Sequence, residues 1–120
     1  MKINSYKDLI VWQKSYKVCL LVYGLTAKFP KQEMFGLVSQ MRRSSVSIPS
    51  NIAEGNTRFT SKEHAQFIRI AYGSASELET QLMLSKDLSF VSEKEYNEVT
   101  LLLDEVLRML TSLLVRFVKN

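Results

Sequence analysis

A chain of 120 residues, 46% apolar and 23% charged, is one folded domain's worth, which excludes disorder and low complexity. It can bury roughly 65% of its unfolded surface without a metal or disulfide, and the lone Cys19 excludes an internal disulfide in any case. The net charge of +4 divides unevenly: nine Lys/Arg against three Asp/Glu in residues 1–60, and seven against nine in residues 61–120. A basic first half points to polyanions or simply to a well-solvated surface.

The first predicted helix covers about residues 8–28. Leu9, Trp12, Tyr16, Cys19 and Tyr23 recur at alternating spacings of three and four, so they share one side, read as the core side. Cys19 stands in an apolar run and reads as a small buried hydrophobe. Pro30 stops the helix, because the residue before a proline avoids helical dihedrals. A second stripe, Val11, Val18, Val22 and Leu25, lies about 120° away on the helical wheel. One helix of a lone bundle needs one wide apolar side, so this stripe is either a broad core contact or a subunit interface, and self-association is expected. Lys7, Lys14, Lys17 and Lys28 fall within about 80° of one another, opposite the Trp12 side.

The second helix is predicted over about 31–54, with Pro30 suited to its first turn. Phe35, Val38, Met41, Ser45, Ile48 and Ile52 mark its inner side. Pro49 takes away the partner of the Ser45 carbonyl, so a kink is expected there. Gly55 sits where a left-handed closing residue is wanted. A third helix over about 61–86 is announced by Thr60-Ser61-Lys62-Glu63, a capping box. The same signature at Ser92-Glu93-Lys94-Glu95 opens a fourth over about 93–118, with the core stripe Tyr96, Val99, Leu103, Val106, Leu110, Leu113 and Phe117. Short connections make successive helices neighbours. The expectation is therefore a single all-α domain over residues 1–120, an antiparallel up-and-down four-helix bundle.

Nothing in the chain has the spacing of an active site, so an enzyme is not expected. His64 is the only histidine and has no nucleophile at a recognisable spacing. Di-iron bundles need Glu-x-x-His on two helices and zinc sites need Cys/His clusters, and neither pattern occurs. The four glycines are scattered rather than grouped into a phosphate loop. Glu77/Glu79 and Asp104/Glu105 are too close in sequence to share a helix side. No catalytic residue, cofactor, metal or small-molecule substrate is expected. Val18 to Leu25, the longest uncharged apolar run, is far short of the ~20 residues that span a bilayer. Asp8, Gln13, Lys14 and Lys17 break any signal-peptide core, and the expected location is the cytoplasm, with no membrane association.

Two constellations remain. On the second helix Gln40, Ser44, Ser47, Asn51 and Glu54 form a polar stripe beside the apolar one. On the third, Ile70, Glu77 and Leu84 are spaced by sevens, which puts Glu77 at an apparent core position flanked by Ser74 and Gln81, with Gly73 permitting close approach. A buried carboxylate is costly unless paired, so Glu77 and Gln81 are expected to bond across to Gln40, Arg43 or Asn51. This polar set, with Ser74, reads as a network fixing helix register or as a ligand site. The other constellation is basic: Lys7, Lys14, Lys17, Lys28, Arg42, Arg43 and Arg58 are the candidate nucleic-acid contacts. No aromatic residues are interleaved with these cations for base stacking.

The sequence resembles the small four-helix-bundle proteins encoded in intervening sequences of bacterial 23S ribosomal RNA genes. The resemblance covers roughly residues 8–85. It rests on Asp8-Leu9-x-Val11-Trp12-Gln13-Lys14, Phe29-Pro30, Gly36-Leu37-x-x-Gln40-x-Arg42-Arg43 and Ser47-Ile48-Pro49-Ser50-Asn51-Ile52-Ala53-Glu54-Gly55. It continues with Arg58, Phe67, Ala71-x-Gly73-Ser74, Glu77-Leu78 and Gln81; Ser44-Ser45 departs from it, standing where two alanines are expected. What the resemblance implies is a homo-oligomeric ring, a pentamer, with no catalytic residues to carry over. Relatives include the accessory protein of diversity-generating retroelements, which partners a reverse transcriptase and its RNA. Two functions follow as expectations: a bundle that binds RNA or a ribonucleoprotein through a basic surface, or a protein-only scaffold that recruits a partner such as a reverse transcriptase.

Overall fold

The computed structural model describes residues 5–118, which form four helices: α1 (Ile10–Thr26), α2 (Ser39–Gly55), α3 (Ser61–Asp87) and α4 (Glu93–Val118). A 3-10 turn (Tyr6–Asp8) precedes α1, and a 3-10 turn (Lys31–Glu33) followed by a π-type turn (Met34–Val38) leads into α2. The described residues contain no strand. Each helix packs on two neighbours, α1 on α2 and α4, and α3 on α2 and α4, giving a bundle 45 Å long and 25 by 23 Å across.

Local chemistry sets the helix ends. Thr60 Oγ1 accepts the Glu63 amide at 3.1 Å and donates to the Glu63 carboxylate at 2.9 Å. At α4 the exchange is reciprocal: Ser92 Oγ accepts the Glu95 amide at 3.1 Å and Glu95 accepts the Ser92 amide at 3.0 Å. Both satisfy donors that a helix start leaves without partners. α3 closes on Ser89, whose φ of 64° lets the Phe90 amide reach back to the Ser85 carbonyl at 2.9 Å, a left-handed ending usually given to glycine.

α2 continues through Pro49 without a break, as expected, but two other features of this segment differ from expectation. The helical run breaks at Gly36 (φ −110°, ψ −108°). Next to this break Phe35 is 96% exposed, so Phe35 does not belong to the inner side. Gly55 keeps a negative φ and serves a close approach instead, because a Cβ there would lie 2.9 Å from His64 Cδ2 and 3.1 Å from Phe67 Cβ.

The core is a set of fully buried aliphatics from all four helices, among them Val18 and Val22, Met41, Ile48 and Ile52, Ile68, Leu78 and Leu82, and Val99, Leu103, Val106 and Leu110. Burying one such side chain stabilises by about 1.5–3 kcal/mol. Ala71, Ser74 and Ala75 keep the inner side of α3 slim, so α2 packs closely along it. Buried hydroxyls are satisfied locally, Ser85 Oγ by the Gln81 carbonyl at 2.8 Å and Thr26 Oγ1 by the Val22 carbonyl at 2.7 Å.

The phase of α1 is the main correction. Val11, Val18, Val22 and Leu25 point into the core, with Ser15 and Thr26 beside them; they are filled on every side and are not a subunit interface. Trp12 and Cys19 are half-buried at the α1–α2 seam, and Tyr16 and Tyr23 are exposed. Short branched valines fit the gap between α2 and α4, whereas rings with polar edges sit well on a wetted seam. No helix among the described residues is long and apolar enough to cross a membrane.

Candidate interaction surfaces

The seven candidate cations do not act as one patch. Lys14 pairs with Glu105, and Lys28 with Glu95 at 2.7 Å, both acids on α4. Lys28 and the Ser92 amide hold the Glu95 carboxyl down to about 2, and Lys14 lowers that of Glu105. Lys17 is exposed and Lys7 lies 6.0 Å over the Tyr6 ring; among the described residues neither has an ion-pair partner. Arg42 donates to Thr26 Oγ1 at 3.0 Å and covers the Tyr23 ring at 4.7 Å. Arg58 pairs with Glu54 and covers Phe67 at 4.6 Å. Arg43 is exposed and makes no ion pair among the described residues. Aromatic rings thus do accompany the cations, contrary to the sequence reading. Rotating α1 brought Tyr16 and Tyr23 to the surface.

The expected buried network is reduced to three residues. Asn51 Nδ2 donates to the Ser47 carbonyl at 2.8 Å and to Ser47 Oγ at 3.0 Å, and Ser47 Oγ lies 2.8 Å from Ser74 Oγ across the α2–α3 seam. Gln40, Arg43 and Glu77 are exposed and lie outside it, and no Arg43–Glu77 pair forms. The inner side of α3 is set by Ile68, Ala71, Ala75, Leu78 and Leu82, which rotates the Ile70–Glu77–Leu84 line outward and spares the carboxylate its desolvation cost. Gln81 is half-buried at this edge, and its Oε1 is the one buried side-chain polar atom without a hydrogen bond among the described residues.

Two surfaces result. One is a groove along the α1–α2 seam, whose upper and lower parts share Val46; Tyr16, Pro49 and Ala53 line one part, and Tyr23, Arg42 and Arg43 the other. No carboxylate is among its lining residues. The other is a ridge on α3, where Ile70 and Leu84 are each about half exposed on either side of Glu77. Nothing lies within 4 Å of where a Cβ on Gly73 would sit. Neither surface is legible from single motifs, because both depend on the rotation of a helix about its axis. Away from them, His64 lies 4.2 Å from the Phe117 ring, and burial, then Arg116, lowers its pKa. Among the described residues no group of His, Cys, Asp or Glu has the arrangement of a metal site.

Comparison with known proteins agrees with this architecture. A crystal structure described as a protein of unknown function from the S23 ribosomal protein family of Bacteroides thetaiotaomicron superposes with a TM-score of 0.82 at 24% identity, covering 88% of this chain and 98% of that one. That likeness concerns the fold. No curated protein matches the sequence. Residues 7–112 match the family described as 23S rRNA-intervening sequence protein, and with most of its length inside that match, the chain belongs to this family.

Proposed function

We propose that this protein is a non-enzymatic, self-associating bundle, with its helices in antiparallel up-and-down order, that binds RNA or a ribonucleoprotein in the cytoplasm through the basic outer side of α1. The observation that carries the reading is the line of Lys14, Lys17 and Lys28 along the side of α1 that is turned away from the α1–α2 groove, with Lys7 at its start. The pairs with Glu105 and Glu95 are exposed, and such pairs hold weakly against water and salt, so a phosphate displaces the carboxylate at little cost. Assembly into a ring, a pentamer by the family resemblance, repeats this modest stripe around one particle and raises its affinity by multivalency. Recognition is electrostatic, with little base readout. Arg42, Arg43 and Arg58, already engaged with rings or lining the groove, fall outside this surface.

The protein-only scaffold is the second reading. It is favoured by the local neutralisation of Lys14 and Lys28 and by the apolar lining of the α1–α2 groove, which suits a protein partner such as a reverse transcriptase. Salt separates the two, since phosphate contacts weaken steeply with ionic strength and apolar contacts do not. The test is RNA binding across a salt series by the native protein and by a Lys7/Lys14/Lys17/Lys28→Glu variant whose assembly is unchanged. Steep salt dependence, lost in the variant, supports RNA binding. No binding at low salt by the intact assembly overturns it.

A further inference from the structure

Self-association needs surfaces, and the stripe first expected to supply one is buried in the core. Resting on the self-association proposed above, we infer that the α3 ridge of one copy seats in the α1–α2 groove of the next, with Glu77 of the first against Arg43 of the second. The two surfaces match in shape, since the ridge is convex and the groove concave. Gly73 gives the ridge a point without a side chain, where nothing lies within 4 Å of a would-be Cβ, so a neighbouring helix can approach closely there. The surfaces also match in polarity. Ile70 and Leu84 on the ridge are 50% and 48% exposed, and Tyr16 and Val46 in the groove 49% and 41%, so each surface offers apolar side chains beside its charge.

Charge selects a second copy of this chain as the occupant. The groove has two arginines and no carboxylate among its lining residues, and the ridge has one carboxylate, Glu77, with no ion-pair partner among the described residues. Each surface lacks what the other carries, and both are on the same chain.

The placement of the surfaces also closes the assembly. Glu77, Ile70 and Gln81 lie on the same side of α3 as Ser74, which touches Ser47 of α2, so the ridge opens on the α2–α3 side of the bundle. The groove opens on the adjoining α1–α2 side. Because the two surfaces lie on adjoining rather than opposite sides of the bundle, this heterologous contact turns each copy relative to the last, as a ring requires. The outer lysines of α1 stay uncovered in this arrangement.

The test is sedimentation velocity on the native protein, Arg43→Glu, Glu77→Arg, the double variant, and an equimolar mixture of the two single variants. All the substituted residues are exposed, and circular dichroism checks that each variant folds. Each single substitution puts like charges together and weakens assembly by about tenfold or more. The double variant assembles again. In the mixture each single variant supplies the charge the other lacks, so the two associate with each other where neither associates alone, although alternating copies cannot close an odd-membered ring. Recovery in the double variant with no association in the mixture means that the pair forms within one chain and overturns the inference. Single variants that assemble as the native protein does overturn it too, while leaving self-association standing. A native protein that stays monomeric at every concentration overturns self-association itself.

Discussion

α1 and α4 lie against each other, yet they solve burial differently. α4 sorts its side chains by type, with Val99, Leu103, Val106 and Leu110 inward and Asp104 and Arg108 paired on the outside at 2.8 Å. α1 is apolar around most of its circumference: valines and Leu25 face the core, rings cover the seam with α2, and Leu20, more than half exposed, faces solvent. A helix with one apolar side has one stable rotation about its axis. A helix with two needs its neighbours to decide, and the side they reject becomes a surface available for binding.

The largest test of this contrast is Val18→Asp beside Tyr16→Asp. Val18 is fully buried and Tyr16 is 49% exposed, so urea denaturation should show a loss of about 4 kcal/mol or more for the first and under about 1 kcal/mol for the second. Equal losses would break the contrast. Next comes Gly55→Ala, which inserts a methyl against His64 and Phe67 and should cost about 1–3 kcal/mol. At Gly24, where a Cβ would meet nothing within 4 Å, the same change should instead raise stability by up to about 1 kcal/mol through helix propensity.

The smallest effect concerns the tie between the two helices. The Glu95 carboxyl is lowered from 4.5 to about 2, chiefly by its bond to Lys28. Because the folded value is the lower one, the ionised group stabilises fully above about pH 4.5, and that contribution is lost as pH falls toward about 2. Glu95→Gln should flatten melting temperature against pH in this window; an unchanged slope would mean that other carboxylates carry the acid limb.

The parts of the fold legible in the sequence are those that depend on one residue and its near neighbours. Thr60 with Glu63 and Ser92 with Glu95 mark helix starts, and the α4 stripe gives its inner side directly. The ending of α3 escaped notice because Ser89 has no glycine to signal its positive φ. The rotation of α1 escaped because a stripe of five residues with three aromatic side chains outweighs four aliphatic residues in a periodicity count, while the gap between α2 and α4 selects for size. The same ambiguity placed Glu77 in the core: the sevens of Ile70, Glu77 and Leu84 are real, but the line of Ile68, Ala71, Ala75 and Leu78 fits α2 more closely. Of the candidate binding residues, Lys17 is exposed where a charged surface needs it. Lys14 and Lys28 are answered by acids 91 and 67 positions away, a distance no local pattern encodes.

That separation also sets an order of events during synthesis. The seam between α2 and α3 joins helices adjacent in the chain, so it can close while the rest is still being made. The α1–α4 seam cannot, because Glu105 is made 91 residues after Lys14. Until then Val11, Val18 and Val22 have a wall on one side only, and the nascent chain carries a sticky helix. Non-local contacts form late and leave partly built intermediates prone to association. The chain therefore spends part of its synthesis with two apolar sides of α1 open, and only one of them is closed when α4 arrives.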